Sequence, residues 1–346
     1  MSHTGMRKVR WGLLVTGGYA DVAMKAKTSS TTTEFVAVAH DDEETARAYA
    51  ETHAIPRSYG SYAELLKDDE VEAVFVALDP VDHAEWAVRA LEAGKHVLVE
   101  KPFALGTADT ERVFDAAEAA GRQCVEGVMP RHHPQFLLAK KLVAEGHIGE
   151  LRYIYAACTA TLPADYFRRF PERGGGGLLD LGSFALTAIR LFGGTPERVY
   201  AEEVRREGAC DHNFAATLRM PGDVLAQFEV GQEVCRGDAL EVVGTTGRLV
   251  FQDPWFCRDA TRLEVQRQGP PPHLDPVSEY VDIDPEDAYR CGDPYAVSRI
   301  QLDTLSTAIA TGTPFPYGRT DAVEQARVIE ALFTSAAKET PVRLDD

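Results

Sequence analysis

The stretch WGLLVTGGYA, Trp11 to Ala20, joins an apolar, β-rich run to a glycine turn. A strand, such a turn and a following helix form the phosphate-binding element of dinucleotide-binding folds, whose fingerprint is G-x-G-x-x-G/A. Gly17 supplies the second glycine and Ala20 the small third residue, but Val15 stands where the first glycine is expected. An ordinary strand-to-helix turn without a ligand is the alternative interpretation of this stretch.

Val15 limits the conformation of the turn. A β-branched side chain resists positive φ, so the turn either keeps a negative φ there or shifts register to use Gly18. The backbone at Gly17 can still approach a pyrophosphate, and the amino terminus of the following helix favours negative charge. The residues predicted to bind cofactor phosphates are Thr16, Gly17, Gly18, Tyr19 and Ala20.

The charge balance restricts the partners. With 54 acidic and 36 basic residues among 346, the formal net charge is -18, which repels nucleic acids and anionic membranes. We therefore expect a small-molecule substrate, with neither nucleic acid nor membrane as a partner. No apolar run approaches the roughly 18 residues that span a bilayer, and the amino terminus lacks a signal-like apolar segment. A soluble, cytoplasmic protein is predicted.

The cysteines carry no metal or disulfide signature. The six of them lie at least 22 residues apart, with no C-x-x-C pair and no histidine cluster at metal-ligand spacing. Buried free thiols in a reducing compartment, and no metal site, are therefore predicted.

The first third of the chain alternates strands and helices. Apolar runs between 9 and 128 predict buried parallel strands, separated by helical patterns from Asp42 and from His83 to Gly94. This alternation predicts an α/β fold with a doubly wound parallel sheet over residues 1–128, with ligands bound at the carboxyl ends of the strands.

The pattern changes after residue 128. Several β-rich runs with turn signals at Pro221-Gly222 and from Gly244 to Gly247 predict an antiparallel sheet in a second domain, 129–346. Helices are predicted at about 178–192, 295–310 and 320–337, and the proline-rich segment at about 267–294 is predicted to be a long loop.

Acidic and basic residues follow two of the strands. Asp41 and Asp42 close the second strand, where a carboxylate can bind the ribose hydroxyls of NAD and repel the 2′-phosphate of NADP; alternatively, Asp42 caps the next helix. Glu100, Lys101 and Pro102 end the fourth predicted strand. A lysine there can exchange a proton with a carbonyl or hydroxyl oxygen, although most lysines at strand ends are simply solvated.

Five segments in order, WGLLVTGGYA, HAEWAVRALEAGKHVLVEKPFAL, EGVMPRHHPQ, GGGGLLDLGSFALTAIRLFGG and LEVVGTTGRLVF, cover nearly the whole chain. Together they resemble the glucose-fructose oxidoreductase, inositol dehydrogenase and rhizopine-catabolism (Gfo/Idh/MocA) family. The resemblance implies a Rossmann domain, a carboxy-terminal α/β domain whose open, mostly antiparallel sheet often forms the oligomer interface, and a nicotinamide cofactor. A homodimer or homotetramer is therefore expected.

The resemblance also implies residue roles. Lys101 matches the proton-exchanging lysine of the family's E-K-P motif, and Asp180 matches the aspartate of its glycine-rich segment. Four residues later the family commonly has a tyrosine or histidine as a second proton handler, but this chain has Phe184. Proton exchange must then depend on Lys101 with Asp180, or on a substitute among Tyr166, His132 and His133, which are otherwise pocket-wall residues.

Further departures lie at the same predicted cleft. Leu78 and Asp79 replace the threonine-containing turn that the family usually has after the third strand, and Pro130 replaces an aromatic residue. Residues that keep the pattern, and are predicted to contact the cofactor, are Pro80, His83, Glu100, Lys101 and Arg131, the last of which could instead touch substrate.

These observations predict an oxidoreductase that transfers a hydride to or from a carbonyl or hydroxyl carbon of a sugar-like or cyclic polyol substrate, with NAD(H) favoured over NADP(H). The phenylalanine at 184 favours a reductase or specialised biosynthetic step. The departures keep a redox-neutral dehydratase, isomerase or cyclase as the alternative, and a non-catalytic binding subunit as a third possibility.

Overall fold

The computed structural model describes residues 7–16, 20–206, 209–258, 260–269, 274–283 and 295–344. The chain forms two compact units, Met1–Gly127 with Ser298–Ala326, and Val128–Val297 with Arg327–Asp346. The predicted domain boundary at 128/129 lies next to the first change of unit. The return of Ser298–Ala326 to the first unit was not predicted.

Specific side-chain contacts hold that returning segment in the first unit. Trp11 Nε1 donates to Ser306 Oγ at 2.9 Å, and Thr32 Oγ1 donates to Asp303 Oδ1 at 2.7 Å. Leu305 packs in the same apolar core as Trp11. These contacts join residues almost 300 positions apart, which explains why local sequence patterns do not reveal them.

A six-stranded sheet forms the centre of the first unit, with order β3-β2-β1-β4-β5-β6 and every neighbouring pair parallel. This confirms the doubly wound α/β prediction. Only the short β3 was not predicted. The strands are β1 (Val9–Val15), β2 (Thr33–Ala39), β3 (Arg57–Tyr59), β4 (Ala73–Ala77), β5 (His96–Glu100) and β6 (Cys124–Gly127).

Helices cover this sheet through two apolar clusters. They are α1 (Ala20–Ala26), α2 (Glu43–His53), α3 (Tyr62–Leu66), α4 (Pro80–Glu92) and α5 (Thr107–Ala120). The helix predicted from His83 begins three residues earlier, at Pro80, because proline suits the first turn of a helix. Gly94 follows its end with a φ of +77°, as expected for a helix terminator.

The second unit contains a nine-stranded sheet of order β14-β13-β12-β11-β7-β10-β9-β8-β15. Its described pairs are antiparallel except β7 with β10, which is parallel, and this confirms the predicted, mostly antiparallel sheet. The strands are β7 (Leu151–Thr161), β8 (Arg198–Arg205), β9 (Asp211–Met220), β10 (Val224–Gly231), β11 (Glu233–Gly244), β12 (Arg248–Val250), β13 (Arg262–Gln268), β14 (Pro276–Asp282) and β15 (Val342–Arg343).

Of the four α-helices described after residue 128, the last three confirm the predictions at about 178–192, 295–310 and 320–337, whereas the first was not predicted. They are α6 (Pro134–Ala144), α7 (Ser183–Gly193), α8 (Ala296–Thr311) and α9 (Arg319–Lys338). The helical stretch Pro171–Gly193 is long and apolar enough to span a membrane by composition alone, but 72% of its most apolar window is buried inside the protein. It carries the buried Asp180 and Arg190 and is a core helix.

Two expectations need correction. Residues 276–282 of the predicted long loop form the edge strand β14, which pairs with β13; residues 270–273 and 284–294 lie outside the described part. Of the described cysteines, all free, Cys235 is exposed rather than buried, and Cys291 lies outside the described residues.

Candidate active site

The first strand of the parallel sheet ends at Val15. Its side chain is buried in the core, and it is not among the described residues with positive φ, so the turn keeps a negative φ there. Thr16 follows, and its backbone N–H donates to Ala77 O at 3.5 Å. The core therefore takes up the methyl groups of Val15. Gly17, Gly18 and Tyr19 of that turn lie outside the described residues, and Ala20 is the buried first residue of α1.

Asp79 follows β4 at the same edge. Its Oδ1 accepts a hydrogen bond from Thr16 Oγ1 at 3.5 Å, so the structure brings these two predicted cleft residues together. Leu78 and Pro80 on either side of Asp79 are buried. The side chain of Asp79 therefore lies beside the end of β1.

The two aspartates after β2 have different roles. Asp42 caps α2: its Oδ1 accepts a hydrogen bond from Thr45 N at 2.7 Å, and hydrogen bonds from the Thr45 side chain and backbone lower the pKa of Asp42. Asp41 keeps its carboxylate 76% exposed. Asp41 Oδ1 also lies 2.9 Å from His40 Nδ1, and of the two exposed aspartates Asp42 is the one that caps a helix.

Lys101 lies directly after β5 and is only 5% exposed. Its backbone N–H donates to Glu100 Oε2 at 3.1 Å, and the peptide bond to Pro102 is cis. Two residues on, Phe103 N donates to Glu126 Oε1 at 3.0 Å. Both carboxylates are buried, so the lysine occupies a fixed and largely dehydrated position.

His83 was predicted to contact cofactor but is fully buried within α4. Its Nδ1 lies 2.8 Å from Pro102 O and its Nε2 lies 3.0 Å from Leu78 O. Both contacts can be hydrogen bonds at once only when both ring nitrogens carry hydrogens. His83 therefore links the segments that follow β4 and β5.

Asp180 is the centre of the candidate site in the second unit. It lies on a single π-helical turn, Leu178–Gly182, ahead of α7. Arg168 Nη1 donates to its Oδ1 at 3.1 Å, and Gln232 Nε2 donates to its Oδ2 at 3.1 Å. The backbone of Gln232 is also held, because its N–H donates to His212 O and its carbonyl accepts from Leu162 N. Asp180 is therefore an immobilised hydrogen-bond acceptor.

The glycine run before Asp180 has a steric cause. A Cβ on Gly175 would lie 2.3 Å from Arg168 O, and one on Gly176 would lie 2.3 Å from Asp211 Oδ1. Asp211 Oδ2 accepts a hydrogen bond from Leu178 N at 2.6 Å. Burial raises the pKa of Asp211 to about 7, although that hydrogen bond opposes the rise. Glycine thus allows the close approach that positions Asp180.

Phe184 is buried one turn after Asp180, and its ring stacks on that of Trp255 with centroids 6.2 Å apart. It has no proton to exchange. The structure therefore gives Phe184 a packing role within its unit, which leaves the proton-handling role to other residues.

Three residues, His132, His133 and Tyr166, were predicted as possible substitutes for a proton-exchanging residue at position 184. Burial lowers the pKa of His132 to about 3, with the nearby Arg131 adding to the effect, and burial lowers that of His133 to about 4. His133 also caps α6, since its Nδ1 accepts from Gln135 N. Arg131 is buried beside them, and Tyr166 is half-buried before the turn that carries Arg168. Two neutral, weakly basic histidines are poor proton carriers.

Four residues that shape the site were not predicted: Glu126, Arg168, Asp211 and Gln232. The sequence contains a signal for two of them, Glu126 and Asp211, the second of which lies against the glycine run. Glu126 interrupts a buried strand, where a charged residue is unusual, and the four-glycine run indicates a close approach of other groups. Within the described residues, no group of three or more His, Cys, Asp or Glu side chains is arranged to hold a metal.

Comparison with known proteins identifies the family. Residues 9–128 match the oxidoreductase family with an NAD-binding Rossmann fold, and residues 136–250 match the Gfo/Idh/MocA carboxy-terminal domain. The chain belongs to the Gfo/Idh/MocA family. This confirms the predicted resemblance, and the protein is an NAD(P)-dependent oxidoreductase.

Among its relatives, a D-xylose 1-dehydrogenase (NADP⁺) from Haloferax volcanii is 32% identical over 97% of this chain and 99% of its own. A dTDP-3,4-didehydro-2,6-dideoxy-α-D-glucose 3-reductase from Streptomyces violaceoruber is 36% identical over 75% of this chain and 78% of its own. A 3-ketoreductase from Actinomadura kijaniata, solved with NADP and TDP-benzene, superposes with a TM-score of 0.83 at 29% identity, covering 95% and 98%. These relatives do not favour the redox-neutral alternative.

Proposed function

We propose that this oxidoreductase acts on a sugar-like or cyclic polyol substrate, at a carbon that bears a hydroxyl or carbonyl group. The buried Lys101 after β5 is the observation that carries the proposal, because a fixed lysine there can exchange the substrate's proton. Relatives that act on D-xylose, on a dihydrobenzenediol and on a keto sugar support the substrate class. The nicotinamide group, when bound, gives or takes the hydride.

Lys101 and Asp180 have different tasks in this proposal. Lys101 donates a proton to the substrate oxygen during reduction, or accepts it during oxidation, because Phe184 has no exchangeable proton and the two histidines are poor bases. Asp180, bonded to Arg168 and Gln232, accepts a hydrogen bond from a substrate hydroxyl and so orients the reacting carbon. The loss of a second proton handler favours the reductive direction.

The residues at the carboxyl edge of the parallel sheet are compatible with a pyridine dinucleotide. The side chain of Val15 packs into the core, Thr16 begins the turn, and the carboxylate of Asp41 is exposed after the neighbouring strand. Thr16 would lie beside the phosphates and Asp41 beside the adenosine ribose.

We propose a preference for NAD(H), since a carboxylate at Asp41 accepts from ribose hydroxyls and repels a 2′-phosphate. Related enzymes use NADP, so the preference needs its own experiment. Replacing Asp41 by serine should strengthen NADP(H) binding relative to NAD(H), whereas Glu51→Gln on the exposed side of α2 should not. An unchanged ratio of dissociation constants in the Asp41 variant would contradict this assignment.

The function can be tested with the purified protein. Thermal-shift titrations with NAD, NADH, NADP and NADPH show which coenzymes bind. Assays with D-xylose, other aldoses, cyclic diols and keto sugars then follow the reduced-nicotinamide absorbance. Stabilisation with net coenzyme turnover on one of these classes is the expected result. Stabilisation without consumption would support a redox-neutral enzyme, and indifference to all four coenzymes would contradict the proposal.

We also propose that a second copy pairs through the open sheet of the second unit. Along β8, β9 and β10, buried and exposed residues alternate, so one face is open to solvent. A shallow groove on it includes one row across four strands, Tyr155, Gln227, Thr217 and Tyr200. Light scattering should report a dimer or tetramer, and Thr217→Arg should shift it towards monomer. A monomeric native protein would contradict this interface.

A further inference from the structure

Three consecutive residues after β5, Lys101, Pro102 and Phe103, are held by three buried ionisable side chains. Glu100 accepts from Lys101 N at 3.1 Å, His83 contacts Pro102 O at 2.8 Å, and Glu126 accepts from Phe103 N at 3.0 Å. Each side chain contacts the backbone of a different residue of the segment. The backbone that carries Lys101 is therefore fixed at its own position and at the next two residues.

The burial of these groups carries a cost that packing alone does not explain. Glu100 and Glu126 are each 2% exposed, and His83 is fully buried. Removing a carboxylate from water costs free energy, and apolar residues of similar size often serve stability as well or better. Glu126 sits in the four-residue strand β6, whose residues are all buried. An apolar side chain there would fill the same space, but it could not accept the hydrogen bond from Phe103 N.

We propose that Glu126 and His83 are positioning residues for Lys101. Neither needs to touch the substrate: Glu126 acts through Phe103 N, and His83 acts through Pro102 O while its second nitrogen ties the segment to Leu78 after β4. A displacement of about 1 Å at a reacting group can reduce turnover by about 10²-fold. This inference rests on the proposed role of Lys101 and adds the residues that make that role possible.

The experiment measures Lys101 directly as well as turnover. Reductive methylation followed by mass spectrometry gives the labelling rate of Lys101 relative to the exposed Lys67, without substrate or coenzyme. Turnover is then measured on the substrate found for the native enzyme. Glu126→Leu removes the acceptor, Glu126→Gln keeps an acceptor oxygen, and Glu85→Gln on the exposed face of α4 is the control.

Glu126→Leu should increase Lys101 labelling several-fold and lower kcat by about 10²-fold, with the KM for coenzyme changed little. Glu126→Gln should retain most of the native behaviour, and Glu85→Gln all of it. Native labelling and native kcat in a folded Glu126→Leu variant would overturn the proposal. Equal losses in Glu126→Leu and Glu126→Gln would also overturn the hydrogen-bond role.

Two variants of His83 test the same proposal if Glu126→Leu fails to fold. His83→Asn places an amide near Nδ1, where it can still donate to Pro102 O, whereas His83→Gln places one near Nε2, where it reaches Leu78 O. The proposal requires the glutamine variant to perturb Lys101 labelling and kcat more than the asparagine variant does. Equal effects, or the reverse order, would overturn it.

The two proposals fail in different ways. If Lys101→Met keeps full turnover, the proposed role of the lysine is wrong. If Lys101→Met is inactive while the folded Glu126 and His83 variants keep native labelling and kcat, only the positioning inference is wrong.

Discussion

Arg168 Nη1 lies 3.1 Å from Asp180 Oδ1, and both side chains are almost completely buried. Two charges removed from water in this way gain little net stability from their attraction. Removing one of them, however, leaves the other as a buried charge without its partner, which is strongly destabilising. Gln232 supplies a neutral donor to the second oxygen of the carboxylate. The arrangement fixes Asp180 as a hydrogen-bond acceptor, which suits its proposed role of orienting a substrate hydroxyl.

Replacing Arg168 by methionine should therefore destabilise the protein strongly. We expect a loss of about 3–5 kcal/mol in the free energy of unfolding, because Asp180 is left as an uncompensated buried charge. The double variant Arg168→Met with Asp180→Asn should recover part of that loss. Urea denaturation of the native protein, both single variants and the double variant gives the coupling energy. Strict additivity would show that the two side chains do not act as a pair.

The steric account of the glycine run predicts that Gly175→Ala is damaging. The new Cβ would meet backbone atoms, Arg168 O at 2.3 Å and Phe170 N at 2.9 Å, and these cannot move like a flexible side chain. We expect destabilisation of about 1–3 kcal/mol or more. The control is Gly318→Ala, where nothing lies within 4 Å of the added carbon. Equal thermal midpoints for the two variants would contradict the prediction.

Asp211 should make stability depend on pH. Burial raises its folded-state pKa to about 7, above the value of about 3.9 in an unfolded chain. Its stabilising contribution is therefore full below about pH 4 and is lost as the pH rises through about 7. Asp211→Asn, which resembles the neutral form, should gain stability relative to the native protein between pH 5 and pH 8. A difference in unfolding free energy between Asp211→Asn and the native protein that does not vary with pH would refute this.

Phe184→Tyr tests whether a second proton handler is missing. A residue that carries the proton contributes about 10²–10⁴-fold to the rate. Because we propose that Lys101 has that role, we expect the tyrosine variant to change kcat by less than about tenfold. Phe184→Leu controls for the loss of stacking on Trp255. A gain of 10²-fold or more on tyrosine substitution would show that Lys101 alone does not complete proton exchange.

The architecture could be predicted because the local spacing of apolar residues identifies its strands and helices. Five of the six strands of the parallel sheet are apolar runs, and helix ends such as Gly94 carry their own signals. The strand β14 was missed because its residues are largely exposed and prolines surround it. The parallel pairing of β7 with β10 and the return of Ser298–Ala326 depend on contacts between distant segments. Periodicity identifies an element but not its neighbours.

The site was predicted at the level of motifs and not of contacts. Lys101 and Asp180 were predicted because each lies in a sequence motif. Three residues that hold them, Glu126, Arg168 and Gln232, were not predicted. Arg168 and Gln232 lie 12 and 52 positions from Asp180 in sequence, and Glu126 bonds to the backbone amide of Phe103, two residues after Lys101. Asp42 shows the converse: the sequence allowed either a ligand or a helix cap, and the geometry shows the cap.

The central claim is that Lys101 exchanges the substrate's proton in a coenzyme-dependent reaction. The most direct measurement is the kcat of Lys101→Met on the substrate identified for the native enzyme, alongside coenzyme binding by thermal shift. The account predicts that coenzyme still stabilises the variant while kcat falls by about 10²–10⁴-fold, the usual contribution of a general acid or base. Full turnover by the folded Lys101→Met protein would contradict it.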